Sequence, residues 1–223
     1  LIGAKNLFML VIGAKGFAKE VLEILIQLGE VENIAFYDDV SLDTPKLLYE
    51  KFPILKNRGE AEHYFKTVDS RFTLGIGNPV LRKRFFDLFQ TLGGEIVSLI
   101  STKASIGYFN TNIKEGCNVM TGTVITNDVS ISKGCLINLN CTIGHDSIIG
   151  EFVEMSPGVH VSGNCIIGSF SNIGTNATIL PKISIGKNVV VAAGAVVTKN
   201  IPDNCMVAGI PAVIKKELTP LDF

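Results

Sequence analysis

Starting at Ile113 and moving in steps of six, the chain meets an aliphatic residue or methionine at every stop: Ile113, Val119, Ile125, Ile131, Ile137, Ile143, Ile149, Met155, Val161, Ile167, Ile173, Ile179, Ile185, Val191 and Val197. A helix cannot keep such a stripe on one side, because six residues advance it by about 1.67 turns. A single flat strand would alternate with period two instead. A chain that runs a short strand, turns a corner and repeats does satisfy the pattern. Three faces of six residues close a triangular coil of eighteen, with the aliphatic residues inward and the coils stacked at roughly 4.8 Å. A second stripe, four residues after the first, is mostly small, with Cys117, Thr123, Cys135, Cys141, Ser147, Cys165, Ser171 and Ala177 among its members. Small residues fit beside large aliphatics in a narrow prism. Gly and Asn crowd the intervening positions: Gly116, Asn118, Gly134, Gly150, Gly168, Asn172, Gly174, Asn176, Gly186 and Asn188. Tight corners there predict left-handed backbone.

Residues 1–98 follow another rhythm. Phe8–Ile12 is a short apolar run followed by Gly13-Ala14-Lys15-Gly16, then by helical spacing at Val21, Leu22, Leu25 and Leu28 up to Gly29. Ile34–Tyr37 predicts a second strand closed by Asp38-Asp39. Phe72–Ile76 predicts a third, followed by Gly77-Asn78-Pro79 and an amphipathic helix to about Leu92. Strand, turn and helix in repetition predict a Rossmann-like βαβ fold with a parallel sheet. The expected organisation is an α/β domain over 1–98, an all-β parallel β-helix over 99–202 and a tail over 203–223.

Composition narrows the function classes. The chain has 223 residues, 47% apolar and 18% charged, which supports sizeable cores. A net charge of -1 with scattered Lys and Arg offers no basic field for nucleic acid or a membrane surface. No apolar run approaches the ~18 residues of a membrane span. The apolar opening Leu1–Leu10 lacks the basic start and cleavage signature of a signal peptide, so the expected compartment is the cytoplasm. Five cysteines without paired spacing predict neither a disulfide framework nor a zinc site. Four of them fall on the small stripe and read as small buried hydrophobes.

Three motifs carry candidate chemistry. The Gly13–Gly16 turn after a strand would let backbone N–H groups approach a phosphate, though such a turn also serves as a plain strand-to-helix connection. Asp38-Asp39 at a strand end suits ribose or base hydroxyls, and equally a solvated turn. Gly144-His145-Asp146 lies inside the repeat, with His145 two residues past the inward Ile143 and therefore projecting outward. An amine or hydroxyl nucleophile needs a base, which His145 supplies if Asp146 orients the ring or stabilises the imidazolium. An arbitrary His-Asp pair is more often a solvated surface pair. His63 has no partner motif and His160 sits outward on the repeat, so no metal site is expected.

Taken in order, these pieces resemble the bacterial sialic acid O-acetyltransferase and nucleotide-aminosugar N-acetyltransferase family. The resemblance runs from Met9 to about Ile214. It rests on the turn at 13–16, Asp38-Asp39, Gly75-Ile76-Gly77-Asn78 before Arg82-Lys83, the hexapeptide array, Gly144-His145-Asp146 and the ending Val207-Ala208-Gly209-Ile210-Pro211-Ala212. It implies a left-handed β-helix and a homotrimer with active sites between neighbouring copies. It implies that residues matching Gly13, Lys15, Gly16, Phe17, Asp38, Asp39 and Gly77 hold a nucleotide-linked amino sugar. Acetyl-CoA, the co-substrate, would lie near Glu154, Thr175 and Ala193. The residue matching His145 is the general base, assisted by Asp146, and the Gly163 N–H faces the oxyanion. Phe17 and Glu154 depart from the pattern, since relatives often carry histidine at both. The expected activity is N-acetylation. O-acetylation of a sialic-acid-like sugar and a non-catalytic scaffold are the alternatives.

Overall fold

The computed structural model describes residues 9–29, 33–41, 43 and 45–222. The opening Leu1–Phe8, including the expected strand start at Phe8, lies outside them. Contacts divide the chain into two compact units: Leu1–Gly77 with Leu81–Thr102, and Asn78–Val80 with Lys103–Phe223.

The first unit is a parallel sheet with helices. Its elements are β1 (Met9–Ile12), α1 (Gly16–Gln27), β2 (Ile34–Tyr37), β3 (Leu47–Leu48), β4 (Phe52–Leu55), α2 (Arg58–Thr67), β5 (Arg71–Leu74), α3 (Pro79–Thr91) and β6 (Glu95–Ile96). The strand order is β3-β4-β2-β1-β5-β6, with β1 parallel to both β2 and β5. All four residues of β1 are buried, as a central parallel strand requires. α1 buries Ala18, Val21, Leu22, Ile24 and Leu25, the face its helical spacing predicts. Tyr37, Phe65, Phe72 and Phe89 pack as an aromatic cluster, with Tyr37 and Phe89 edge-to-face at 4.8 Å. Two backbone bonds carry the sheet beyond its strand ends: Gly13 N–H donates to Tyr37 O and Gly75 N–H to Ile12 O, both at 2.8 Å. The turns that follow β1, β2 and β5 are thereby tied into one rim.

The second unit is built from two-residue parallel strands, three to a coil. One face stacks Asn118–Val119, Leu136–Ile137, Glu154–Met155, Asn172–Ile173 and Val190–Val191. The next stacks Val124–Ile125, Thr142–Ile143, His160–Val161, Thr178–Ile179 and Val196–Val197. The third stacks Asn112–Ile113, Ser130–Ile131, Ile148–Ile149, Ile166–Ile167 and Ser184–Ile185. From Val119 to Val197 every member of the six-residue stripe is buried, whereas Ile113 in the first turn is only half-buried. Each such residue contributes roughly 1.5–3 kcal/mol of hydrophobic stabilisation. Cys205–Gly209 extends the first face in parallel, and Ala212–Glu217 folds back on it antiparallel.

The corners correct one sequence expectation. Left-handed φ falls on every sixth residue from Asn110 to Gly194, and Gly116, Gly134, Asn176 and Asn188 belong to that set. Asn118 and Asn172 instead sit in strands. Gly150, Gly168, Gly174 and Gly186 have no left-handed φ, and the next coil explains them. A Cβ on Gly168 would lie 2.4 Å from the backbone of Gly186. These glycines are required by close approach, not by dihedral angle.

The small stripe is also more than filler. The thiols of Cys117, Cys135, Cys141 and Cys165 donate to the carbonyls of Ser132, Gly150, Ser156 and Leu180 at 3.0–3.3 Å. Thr123, Ser147 and Ser171 make the same bond with their hydroxyls. The cysteines are buried, as read from the sequence, and in addition they satisfy corner carbonyls that would otherwise be stranded.

Candidate active site

The dyad arises from one corner of the coil. Asp146 occupies the left-handed position, φ +58°, immediately after His145. That geometry turns its short carboxylate back onto the neighbouring ring, and Asp146 Oδ2 lies 2.7 Å from His145 Nδ1. The carboxylate can only accept, so Nδ1–H donates, and in the neutral ring Nε2 carries the lone pair. The ring lies against Gly163 in the next coil, where an added Cβ would sit 2.6 Å from Nε2. A Cβ on Gly144 would meet Gly163 N at the same distance. Only glycine at 144 and 163 permits this packing. Among the described hydrogen bonds, none uses the Gly163 N–H. The His145 side chain is 64% exposed and that of Asp146 53%, so the dyad is open on its outer side.

The three residues expected beside the acyl donor stand elsewhere on the prism. Glu154 projects outward from the first face, half-buried, and accepts a 2.7 Å bond from Asn172 Nδ2. Thr175 and Ala193 are exposed, one coil apart, at the corner between the first and second faces. His145 and Gly163 occupy the corner between the second and third. Within one chain the coil therefore brings His145, Asp146 and Gly163 together and keeps Glu154, Thr175 and Ala193 away from them.

In the first unit the expected residues converge. Gly13, Lys15, Gly16, Phe17, Asp38, Asp39 and Gly77 all line one cavity of about 380 Å³ at the carboxyl ends of β1, β2 and β5, where open parallel sheets bind ligands. Gly13 is doubly constrained, with φ +114° and Gly75 O only 2.6 Å from where a Cβ would stand. A second cavity of about 550 Å³ shares Lys15, Gly16 and Ser41 and adds Lys19 and Asp43. The two acids have different environments. Asp38 Oδ1 accepts from Val40 N and Ser41 N, so it shapes the turn. Asp39 Oδ2 accepts from the Tyr37 hydroxyl at 2.9 Å. Burial, then the nearby Asp39 carboxylate, hold the Tyr37 hydroxyl well above its usual range, so it remains a donor.

Sequence reasoning missed Tyr37, Ile76, Leu81 and Phe85, which line the same cavity. Leu81 and Phe85 come from one face of α3, four residues apart, and the helical spacing alone could have paired them. With Phe17 they make that side apolar.

Among the described residues no cluster of His, Cys, Asp and Glu could hold a metal ion, and no helix is long and apolar enough to cross a membrane. His160 Nδ1 lies 2.9 Å from Thr142 Oγ1 on the outer surface of the second face. Burial raises the Cys141 thiol to about 11, which keeps it protonated at neutral pH.

The family models match in two places. The PglD N-terminal domain matches residues 9–89, and the bacterial transferase hexapeptide matches 164–199. A mutant perosamine N-acetyltransferase from Caulobacter crescentus, solved with CoA and GDP-perosamine, is 27% identical with a TM-score of 0.87, covering 97% of this chain and 99% of that one. The acetyltransferase domain of PglB from Neisseria gonorrhoeae is 32% identical with a TM-score of 0.85, covering 93% and 98%. WeeI from Acinetobacter baumannii is 32% identical with a TM-score of 0.83, covering 93% and 99%. No curated protein sequence matches the chain significantly. Identity above 30% over nearly the full length of two such structures, with both halves matched in order, leaves one assignment: the chain belongs to the hexapeptide-repeat, left-handed β-helix acyltransferases that carry a PglD-type N-terminal domain.

Proposed function

We propose that this protein is an acetyl-CoA-dependent N-acetyltransferase acting on a nucleotide-linked amino sugar. The observation that carries this reading is the His145–Asp146 pair, whose hydrogen bond turns the other ring nitrogen, Nε2, toward Gly163. The Caulobacter relative, solved with CoA and GDP-perosamine, supports the choice of co-substrates.

The cavity beneath the Gly13–Gly16 turn holds the nucleotide, with N–H groups at the start of α1 toward its phosphates. Lys15 adds positive charge, and the outer oxygen of Asp39 accepts from base or ribose. The sugar amine attacks the thioester carbonyl carbon of acetyl-CoA. As the C–N bond forms, His145 Nε2 takes the proton the nitrogen loses, and Asp146 stabilises the imidazolium. The Gly163 N–H donates to the oxyanion of the tetrahedral intermediate. Collapse breaks the C–S bond, and the imidazolium returns the proton to the CoA sulfur. No acyl-enzyme forms, and none of the buried thiols takes part.

The separation of Glu154, Thr175 and Ala193 from the His145 corner supports a homotrimer. Glu154, Thr175 and Ala193 of one copy would face His145 of the next, with the pantetheine between them. A neighbour covering His145 would also dry a dyad that stands open in the single chain, strengthening its electrostatics. Acetyl-CoA and sugar nucleotides are cytoplasmic metabolites, which favours that compartment.

The test follows CoA release with a thiol reagent, using acetyl-CoA and UDP-, dTDP- and GDP-linked 4-amino sugars. Turnover on one of them supports the proposal. Turnover only on a free sialic acid moves the protein to O-acetylation, and acetyl-CoA binding without turnover on any acceptor favours a scaffold.

A further inference from the structure

Among the described residues Arg82 is the largest fully buried side chain, with 0% exposure. It stands in the first turn of α3, and helical side chains lean toward the helix N-terminus. The guanidinium therefore reaches back over its own helix start to the end of β5. There Nη1 donates to Ile76 O at 2.8 Å and approaches Leu74 O at 3.5 Å. These two carbonyls flank Gly75, so one group fixes the chain on both sides of that glycine.

Gly75 has no slack. A Cβ on it would lie 2.8 Å from Ala18 Cβ and 2.9 Å from Val11 Cγ1. Its own carbonyl stands beneath Gly13, in the space a Cβ there would need. The segment that Arg82 grips is thus the one on which the Gly13–Gly16 turn rests. Gly75, Ile76 and Gly77 also form part of the 380 Å³ cavity wall. Burying a cation is costly, and an apolar side chain of similar volume would fill the space without that cost.

We propose that Arg82 is a positioning residue of the nucleotide pocket: it holds the Gly75–Gly77 wall, and through it the Gly13 turn, in the shape that receives the nucleotide. This rests on the reading of that cavity as the nucleotide site. Arg82 touches no substrate, so its effect falls on nucleotide affinity and leaves donor affinity unchanged.

The experiment measures binding of UDP, dTDP, GDP and acetyl-CoA by calorimetry for wild type, Arg82→Lys, Arg82→Met and Arg82→Ala. Lysine keeps the charge and three N–H donors, but its side chain is one atom shorter and its ammonium stops short of the two carbonyls, so this variant is expected to fold even if the methionine one does not. The proposal expects nucleotide binding weakened about ten-fold or more in Arg82→Lys, as loss of a charge-assisted hydrogen bond predicts, with acetyl-CoA binding unchanged. In turnover the acceptor KM should rise while the acetyl-CoA KM holds. Added guanidinium ion at low millimolar concentration should restore nucleotide binding to Arg82→Ala. A lowered Tm with all affinities unchanged would overturn the proposal and leave Arg82 a stabilising residue only. Failure of the wild type to bind any nucleotide would overturn the pocket reading, and this proposal with it.

Discussion

His145 owes its place to residues one coil away: its ring lies on Gly163, eighteen positions later, and its backbone carbonyl accepts from Asn164. Phe17 and Phe85 line one cavity although they stand on separate helices, far apart in sequence. In the coil, each side chain is set by neighbours at a fixed interval, so a local motif is enough to place a catalytic group. In the α/β unit, the pocket wall is assembled by long-range packing of three turns and two helices. The coil thus supplies a rigid, repeated mount for the base, and the α/β unit a shaped cavity that sequence spacing does not describe. Chemistry and recognition should therefore fail separately when each is mutated.

The largest separation is expected from His145→Ala. Its turnover should fall by roughly 10²-fold or more, the usual worth of a positioned base, with nucleotide and acetyl-CoA binding unchanged. Loss of nucleotide binding in this variant would break the division of labour. Ile149→Ala should next cost about 2–5 kcal/mol in denaturant unfolding, because the emptied core of the prism cannot collapse. Asp146→Asn tolerates the left-handed corner and removes only the charge. A kcat reduced roughly ten-fold with no change in either KM is the expected result. For Asp39→Asn the opposite split is expected, an acceptor KM raised about ten-fold with kcat little changed. Kinetics that place both acids on the same parameter would argue against the comparison.

The smallest effect belongs to Cys141→Ser, which keeps a donor toward Ser156 O and should leave activity intact. It sharpens the picture through pH. Burial lifts this thiol from 9.0 to about 11, so the folded state holds its proton more tightly than the unfolded chain. The associated stability is complete below pH 9 and is lost as pH rises toward 11. Wild type should therefore lose stability over that window more steeply than Cys141→Ser, as chemical denaturation at pH 8 and 10 would measure.

Legibility followed the same division. The stripe from Ile113 to Val197 announced the coil because an inward residue every sixth position has no other explanation. Gly144-His145-Asp146 stood out against that regular background. The corner glycines were harder, since Gly168 and Gly116 look alike in sequence yet answer to different constraints: one to a passing backbone, the other to φ. β4 was hidden by Pro53. α2 has weak amphipathicity, although Asn57 followed by Glu60 is a capping pair that marks its start, with Glu60 N donating to Asn57 Oδ1 at 3.0 Å. The hairpin of Cys205–Gly209 and Ala212–Glu217 carries no six-residue stripe. Leu81 and Phe85 could be paired with each other by spacing, but nothing local tied them to Phe17.

The left-handed backbone at position 146 also restricts what evolution can write there. Glycine, asparagine and aspartate adopt it at little cost, and of these only aspartate is an acid. Glutamate would keep the charge, but its longer chain would carry the carboxylate past the ring. A histidine mounted at this corner therefore has one acidic companion within easy reach. Drift at position 146 would tend to switch the dyad off in a single step, and the shape of the coil would hardly register the change.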